Sequence, residues 1–220
     1  TWDVTTYDAH ASAAGKPAYG ESGFDPSLGY DAASQGVEPW PLSDASTIAY
    51  LTGAVTDSAS AATAMATGQK TNAGRIAWSR SLPGSDGASL ETLPELMRAR
   101  LGSQVGIVST VPFDHATPAA FFSHSNARSD YAGIARQLTI TSRPEVLIGG
   151  GNPSWCSTYY SSSALASLHS SELWFIAERQ SGVDGATSLS SAASGTDRGL
   201  FGIFGGADGT MEAPVPANAP

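Results

Sequence analysis

Cysteine is almost missing: Cys156 has no second cysteine to pair with, so no disulfide forms within the chain. Nothing near it would lower a thiol pKa, and it reads as a buried, inert side chain. Lysine is scarce too, with only Lys16 and Lys70, and 20 acidic against 11 basic side chains leave a formal charge of −9. No basic cluster exists, which excludes nucleic acid and anionic membrane surfaces as partners. There is no run of about 18 apolar residues, so the sequence supplies no helix that could span a bilayer. The opening residues TWDVTT have neither a basic n-region nor an apolar h-region, so any export leader is expected to have been removed already. His10, His115, His124 and His169 fall at no helical metal-ligand spacing; read locally, each is a surface or packing residue.

The length of 220 residues allows one domain of ordinary size. Residues 1–48 are rich in Gly, Ser, Tyr and Asp, interrupted by Pro17, Pro26, Pro39 and Pro41, and read as a loop-rich covering segment. Residues 49–204 turn regular. An apolar lead-in from Thr47 to Val55 precedes a helix from about Ser58 to Thr67 stopped by Gly68, and an extended piece follows around Ile76 and Trp78. After a Gly and Ser loop from Pro83 to Ser89, Glu91 to Leu101 places Leu93, Leu96, Met97 and Leu101 on one helix face before Gly102. Gln104 to Thr110 is β-branched and fits a buried strand. Further on, Ile134–Ile140 is expected to be helical and Val146–Ile148 a strand. Ser161–Leu168 and Glu172–Arg179 read as helices, and Leu200–Phe204 as a strand. Residues 205–220, with Pro214, Pro216 and Pro220, read as an exposed connection. The alternation implies an α/β fold.

One stretch carries chemistry. From Val55 to Thr71 the sequence runs VTDSASAATAMATGQKT, which sets Asp57 and Ser58 at the start of an Ala-rich helix. Backbone N–H groups without helical partners and the positive end of the dipole gather there, favouring a bound anion and the alkoxide form of a serine. An Asp-Ser pair before an alanine run is also what any N-cap looks like. The small residues Ala59, Ser60, Ala61 and Ala62 go further than capping requires and leave room for a bulky group against the first turn.

This string resembles the serine signature of the alkaline phosphatase family, in which Asp-Ser-Ala marks the nucleophile. The segment from Val105 to Arg128, VGIVSTVPFDHATPAAFFSHSNAR, is similar to the next family motif, and EVLIGGG from Glu145 to Gly151 is a weaker echo. The resemblance implies a three-layer α/β/α sandwich with a mostly parallel central sheet, of which this chain is part. It implies that Ser58 becomes phosphorylated and, as alkoxide, contacts a metal, that Thr117 ligates magnesium, and that Arg128 grips the substrate phosphate. His115 occupies a family position held by Asp or His beside the magnesium, with an indirect influence expected, and Asp114 before it reads as a loop carboxylate. Zinc and magnesium are the implied cofactors and small phosphate monoesters the implied substrates. A periplasmic or secreted location and a possible homodimer follow from the same resemblance.

The residues can be read beside it. Phosphate ester hydrolysis needs an in-line oxygen nucleophile and cations on the non-bridging oxygens. Ser58 has no base next to it in sequence, which makes a metal ion the natural activator. Arg128 offers the planar, bidentate fork that suits phosphate, with Asp57 as a partner that could orient it; spacing alone would instead pair it with Asp130. Thr117 taken alone is a turn or cap hydroxyl. The family's Gly-Asp-Gly-Met motif and its later Glu, Asp-x-x-x-His, Asp-His and His ligands do not occur in the chain, so neither zinc site can be completed from it. The chain is therefore expected to be an internal portion of a longer enzyme, inactive alone. Two other classes stay open: a metal-free serine hydrolase, against which the lack of a Gly-x-Ser-x-Gly elbow counts, and a non-catalytic binding domain that keeps the scaffold.

Overall fold

The computed structural model describes residues 57–80, 84–151, 168–180, 182–195 and 198–204. The expectations for residues 1–48, the lead-in to Val55, Cys156, nearly all of the helix from Ser161 and the tail from residue 205 lie outside them.

Helix α1, Ser58–Thr67, begins at Asp57, whose carboxylate accepts from the Ala59 and Ser60 amides, and ends at Gly68 in the left-handed region with φ 72°. Helix α2, Leu93–Leu101, opens on a capping box between Thr92 and Glu95 and closes at Gly102 with φ 63°. Strand β1, Gly106–Pro112, leads through a turn to the single-turn helix α3, Ala116–Ala119. Helix α4, Tyr131–Arg136, widens into a π-helical turn over Gln137–Thr141. Strand β2 (Val146–Gly150), strand β3 (Trp174–Glu178), helix α5 (Gly185–Ala193) and strand β4 (Gly199–Ile203) complete the order.

The four strands form one parallel sheet in the order β1-β2-β4-β3. This is the α/β architecture the alternation implies. Leu147 on β2 and Phe201 and Ile203 on β4 are fully buried at its centre. Phe201 meets Phe113 edge-on at 5.2 Å and Trp174 at 5.9 Å, and the Trp174 indole N–H donates to the Thr139 carbonyl of the π turn at 2.9 Å.

Several expectations change. The segment expected to be a helix from Glu172 to Arg179 is strand β3: Trp174, Phe175 and Ile176 suit a pleated surface and pair with β4, and the charges at either end only imitate a helix face. Strand β1 is not buried on both faces, since Ile107 is covered while Val108 is 72% exposed, and β2 is its one neighbour among the described residues. On α2 the apolar stripe is uncovered among the described residues, with Leu93, Met97 and Leu101 exposed. That helix is held instead by its cap and by Arg98, which donates to the Ser142 carbonyl and pairs with Glu145 at 2.8 Å. Helix α5 has no counterpart among the sequence expectations; Asp184 caps it, accepting from the Ala186 and Thr187 amides, and its serines give it the composition of a loop.

Two packing details position the residues around Ser58. Ala59 and Ala62 of α1 are fully buried in one cluster with Ala116, Ala119 and Ala120 of the α3 segment, so these small residues serve helix contact rather than room for a ligand. The buried Thr63 hydroxyl donates to the Arg75 carbonyl at 3.0 Å and accepts from the Ala77 amide at 2.9 Å, tying α1 to the segment that comes after it.

The glycines that end β2 permit a close crossing. A β-carbon on Gly149 would lie 2.5 Å from the Phe113 amide nitrogen, and one on Gly150 would meet the Thr110 carbonyl oxygen. The turn after β1 is thereby pressed against β2, where the register between the two strands shifts.

Gly149→Ala in the full-length protein should cost about 1–3 kcal/mol in denaturant unfolding, the usual range for overpacking. Thr63→Val should cost a similar 1–3 kcal/mol by leaving the Ala77 amide without an acceptor, and Thr63→Ser distinctly less. Equal losses from Val and Ser at that position would show that shape and not hydrogen bonding matters there.

Candidate functional site

Asp57 precedes α1 in extended conformation, with φ −61° and ψ 131°. One oxygen of its carboxylate receives the amides of Ala59 at 3.1 Å, Ser60 at 3.2 Å and Gly74 at 2.7 Å. The other receives Arg128 Nη1 at 2.6 Å, and the same nitrogen donates to Ser58 Oγ at 2.9 Å. The Arg128 amide in turn donates to the Gly74 carbonyl at 2.6 Å. The backbone of Gly74 is thus bonded to both partners of the ion pair and closes a ring through it. Burial raises the Asp57 pKa, but the bonds from Gly74, Arg128 and Ser60 and the charge of Arg128 outweigh it and hold the carboxyl below its ordinary value.

The structure thus brings Asp57, Ser58 and Arg128 together. The alternative pairing of Arg128 with Asp130 does not occur, since Asp130 caps α4 by accepting the Gly133 amide. With Asp57 ionised and engaged by four donors, it is a poor proton acceptor; its part is to orient the guanidinium. Ser58 lies in the first turn of a ten-residue helix, beside a planar cation. That combination suits a tetrahedral oxyanion, for which the guanidinium has further N–H donors beyond Nη1.

His115 stands at the N-cap position of α3, in the turn after β1, without a capping side-chain bond, and stacks on Tyr131 with ring centroids 5.9 Å apart. Burial lowers its pKa, and so does the charge of Arg128. Thr117 is exposed on α3 and lines a shallow groove along β1, the end strand of the described sheet, with Pro94, Val108 and Phe121. Asp114 is the loop carboxylate expected. It does sit in a turn, but at 1% exposure, and neither carboxylate oxygen takes a well-formed hydrogen bond. Burial pushes its pKa up to about 7, a poorly aligned contact with its own amide offsetting only part. No apolar periodicity marks that position; the signal in hindsight is the Pro112-Phe113 pair, which carries the turn into the core.

Ser58, Thr117 and His115 offer two hydroxyls and an imidazole to a cation. Among the described residues no three His, Cys, Asp or Glu side chains converge to hold a metal ion. The remaining histidines of the described residues are engaged elsewhere, His124 with Glu95 and His169 with Glu178, and neither supplies a base to Ser58.

Comparison with known proteins bears on the same segments. The family model described as alkaline phosphatase matches residues 28–164. Alkaline phosphatase 3 of Bacillus subtilis (strain 168) is 38% identical over 102 residues, covering 44% of this chain and 21% of its own length. Streptomycin-6-phosphate phosphatase of Streptomyces griseus is 39% identical over 114 residues, covering 44% of this chain and 24% of its own. The chain thus spans about a quarter or less of the length of these curated relatives. Among solved structures, the cold-active alkaline phosphatase from the psychrophile Shewanella sp. superposes with a TM-score of 0.55 at 29% identity, over 74% of this chain and 35% of that one. Since the family match takes in more than half of the chain, including Asp57, Ser58 and Arg128, and the parallel sheet follows a member's fold, the chain belongs to the alkaline phosphatase family.

Proposed function

We propose that the protein hydrolyses phosphate monoesters by way of a phosphoryl group carried on Ser58. The observation that supports this reading most directly is the single guanidinium nitrogen shared between Asp57 and Ser58 at the amino end of α1. The amides of Ala59, Ser60 and Ala61 are taken by Asp57, so a phosphate placed beside Ser58 meets the positive end of the α1 dipole and the remaining Arg128 donors. Ser58 Oγ releases its proton to solvent and attacks phosphorus, the P–O bond to the alcohol breaks, and the alcohol departs with the electron pair and gains a proton from solvent. Water attacks the phosphoserine, the P–Oγ bond breaks, and inorganic phosphate leaves. Asp57 keeps Arg128 aimed throughout, so that charge developing on the non-bridging oxygens meets a donor already in place.

Zinc and magnesium belong to this reading as cofactors completed by ligands beyond the described residues. A bound divalent cation would lower the pKa of the serine hydroxyl, so that its proton passes to water, and would neutralise charge on the phosphate. Ser58, Thr117 and His115 are the residues of this chain offered to it. The same reading places the enzyme outside the cytoplasm, acting on small phosphorylated molecules.

In the full-length protein, Ser58→Ala should abolish release of phosphate from p-nitrophenyl phosphate and remove the acid-stable phosphoryl label from the peptide that contains residue 58. Label recovered on another residue would overturn the assignment. Arg128→Ala should lower kcat/KM on the order of 10²–10³-fold, and Arg128→Lys less, because charge survives while the fork is lost. Excess EDTA should stop turnover and added zinc with magnesium restore it; unchanged rates in chelator would exclude the metal requirement.

A further inference from the structure

His124 lies between the α3 segment and Arg128. Its backbone is clamped by one side chain: the His124 amide donates to Gln137 Oε1 at 2.8 Å, and Gln137 Nε2 donates to the His124 carbonyl at 2.9 Å. Its ring spans two acceptors, with Nδ1 3.1 Å from the Ala77 carbonyl oxygen and Nε2 2.8 Å from Glu95 Oε1. A neutral imidazole has one N–H, so one of these contacts would set lone pair against lone pair. The doubly protonated ring satisfies both. Glu95 is itself held as the anion, because burial, which raises its pKa, is outweighed by the bonds from His124 and from Thr92, whose amide reaches Glu95 Oε2 at 2.8 Å. The same contact with Glu95 raises the His124 pKa, against the opposing effect of burial. Around the ring, α2 presents Glu95, the 74–79 segment the Ala77 carbonyl, and the π turn Gln137; Arg98, next along α2, lies over the Phe122 ring at 4.8 Å.

Ala77 is an unusual anchor. It is fully buried and holds φ at 38°, a left-handed conformation that a residue with a β-carbon adopts only when its surroundings fix it. Its amide goes to Thr63, and its carbonyl takes both the Leu90 amide and the His124 ring. Just before it, Ile76 exchanges both backbone hydrogen bonds with Ser125, and Gly74 accepts the Arg128 amide. Residues 74–77 thus form a rail on which residues 124–128 lie, fastened at Gly74, Ile76 and Ala77.

We propose that His124 is a positioning residue: as an imidazolium bridging Ala77 and Glu95, it fixes the 124–128 segment on that rail and so sets the approach of Arg128 to Ser58. The inference rests on the catalytic reading of Arg128.

The test uses the full-length protein. In the wild type, ¹⁵N-histidine NMR at about pH 7.5, where an ordinary imidazole is mostly neutral, should find both His124 ring nitrogens protonated. Glu95→Gln can keep both bridges with a neutral ring, so His124 should become a single tautomer at that pH. His124→Phe keeps ring volume and removes both donors. It should raise KM for p-nitrophenyl phosphate and weaken inhibition by inorganic phosphate in parallel, each about tenfold, with a smaller effect from Glu95→Gln. The Arg128 Nε resonance should shift in His124→Phe, which reads the positioning without turnover. A neutral His124 ring in the wild type would overturn the proposal, as would wild-type KM and an unmoved Arg128 resonance in a folded His124→Phe. A wild-type protein that releases no phosphate at all would instead count against the catalytic reading, and the two resonances would still decide the role of His124. Should His124→Phe fail to fold, the ring state in wild type and Glu95→Gln and the Arg128 resonance in Glu95→Gln carry the test.

Discussion

The Asp57 carboxylate is the point on which the rest of this site depends. It accepts three backbone amides through one oxygen and a guanidinium through the other, and the donors come from three separate stretches: the first turn of α1, the bend at Gly74, and Arg128, far along the chain. A partly exposed ion pair contributes little to stability, about 0–1 kcal/mol. The worth of this one is geometric. Gly74 gives its amide to Asp57 and its carbonyl to Arg128, so neither partner can shift without straining the same peptide backbone. A helix N-terminus would hold a phosphate loosely by itself; the ring through Gly74 adds an arginine whose distance from Ser58 is set in advance.

How far the sequence can foretell this depends on what fixes each part. Helix α1 is legible to the residue at its end, because the Asp57 cap, the alanine run and the Gly68 stop are local signals that tertiary packing does not override. The same holds for β2 and for β4, where short apolar runs enter the centre of a parallel sheet. Strand β3 escapes a sequence reading because Glu172, Glu178 and Arg179 flank an aromatic and β-branched core that is too short for periodicity to arbitrate. Exposure is the least legible property. The faces of α2 and β1 carry the apolar pattern of buried elements, and only topology reveals that β1 ends the described sheet and that no described element covers α2.

In the site itself, proximity is beyond local reading. Spacing favours Asp130 as the partner of Arg128, two residues away, whereas the fold delivers Asp57. The family resemblance, not the pattern of residues, points to Arg128 and Ser58 as one unit. The burial of Asp114 illustrates the opposite case: an acidic residue in a turn ordinarily faces water, and here the turn is drawn under the sheet by Phe113 packing on Phe201.

That turn leads into α3, whose packing accounts for the alanines of α1. Ala59 and Ala62 pack in one buried cluster with Ala116 and Ala119, which lets the two helices approach closely. Larger side chains at those positions would separate the helices and shift the α3 segment away from α1. Gly149 sets the other side of the same turn, since only a residue without a β-carbon allows Phe113 to lie on β2. Small residues therefore fix the depth of the site from two directions, while the rail at residues 74–77 fixes its width. The chemistry proposed for Ser58 requires both dimensions, because an in-line attack tolerates little error in where the phosphate is held.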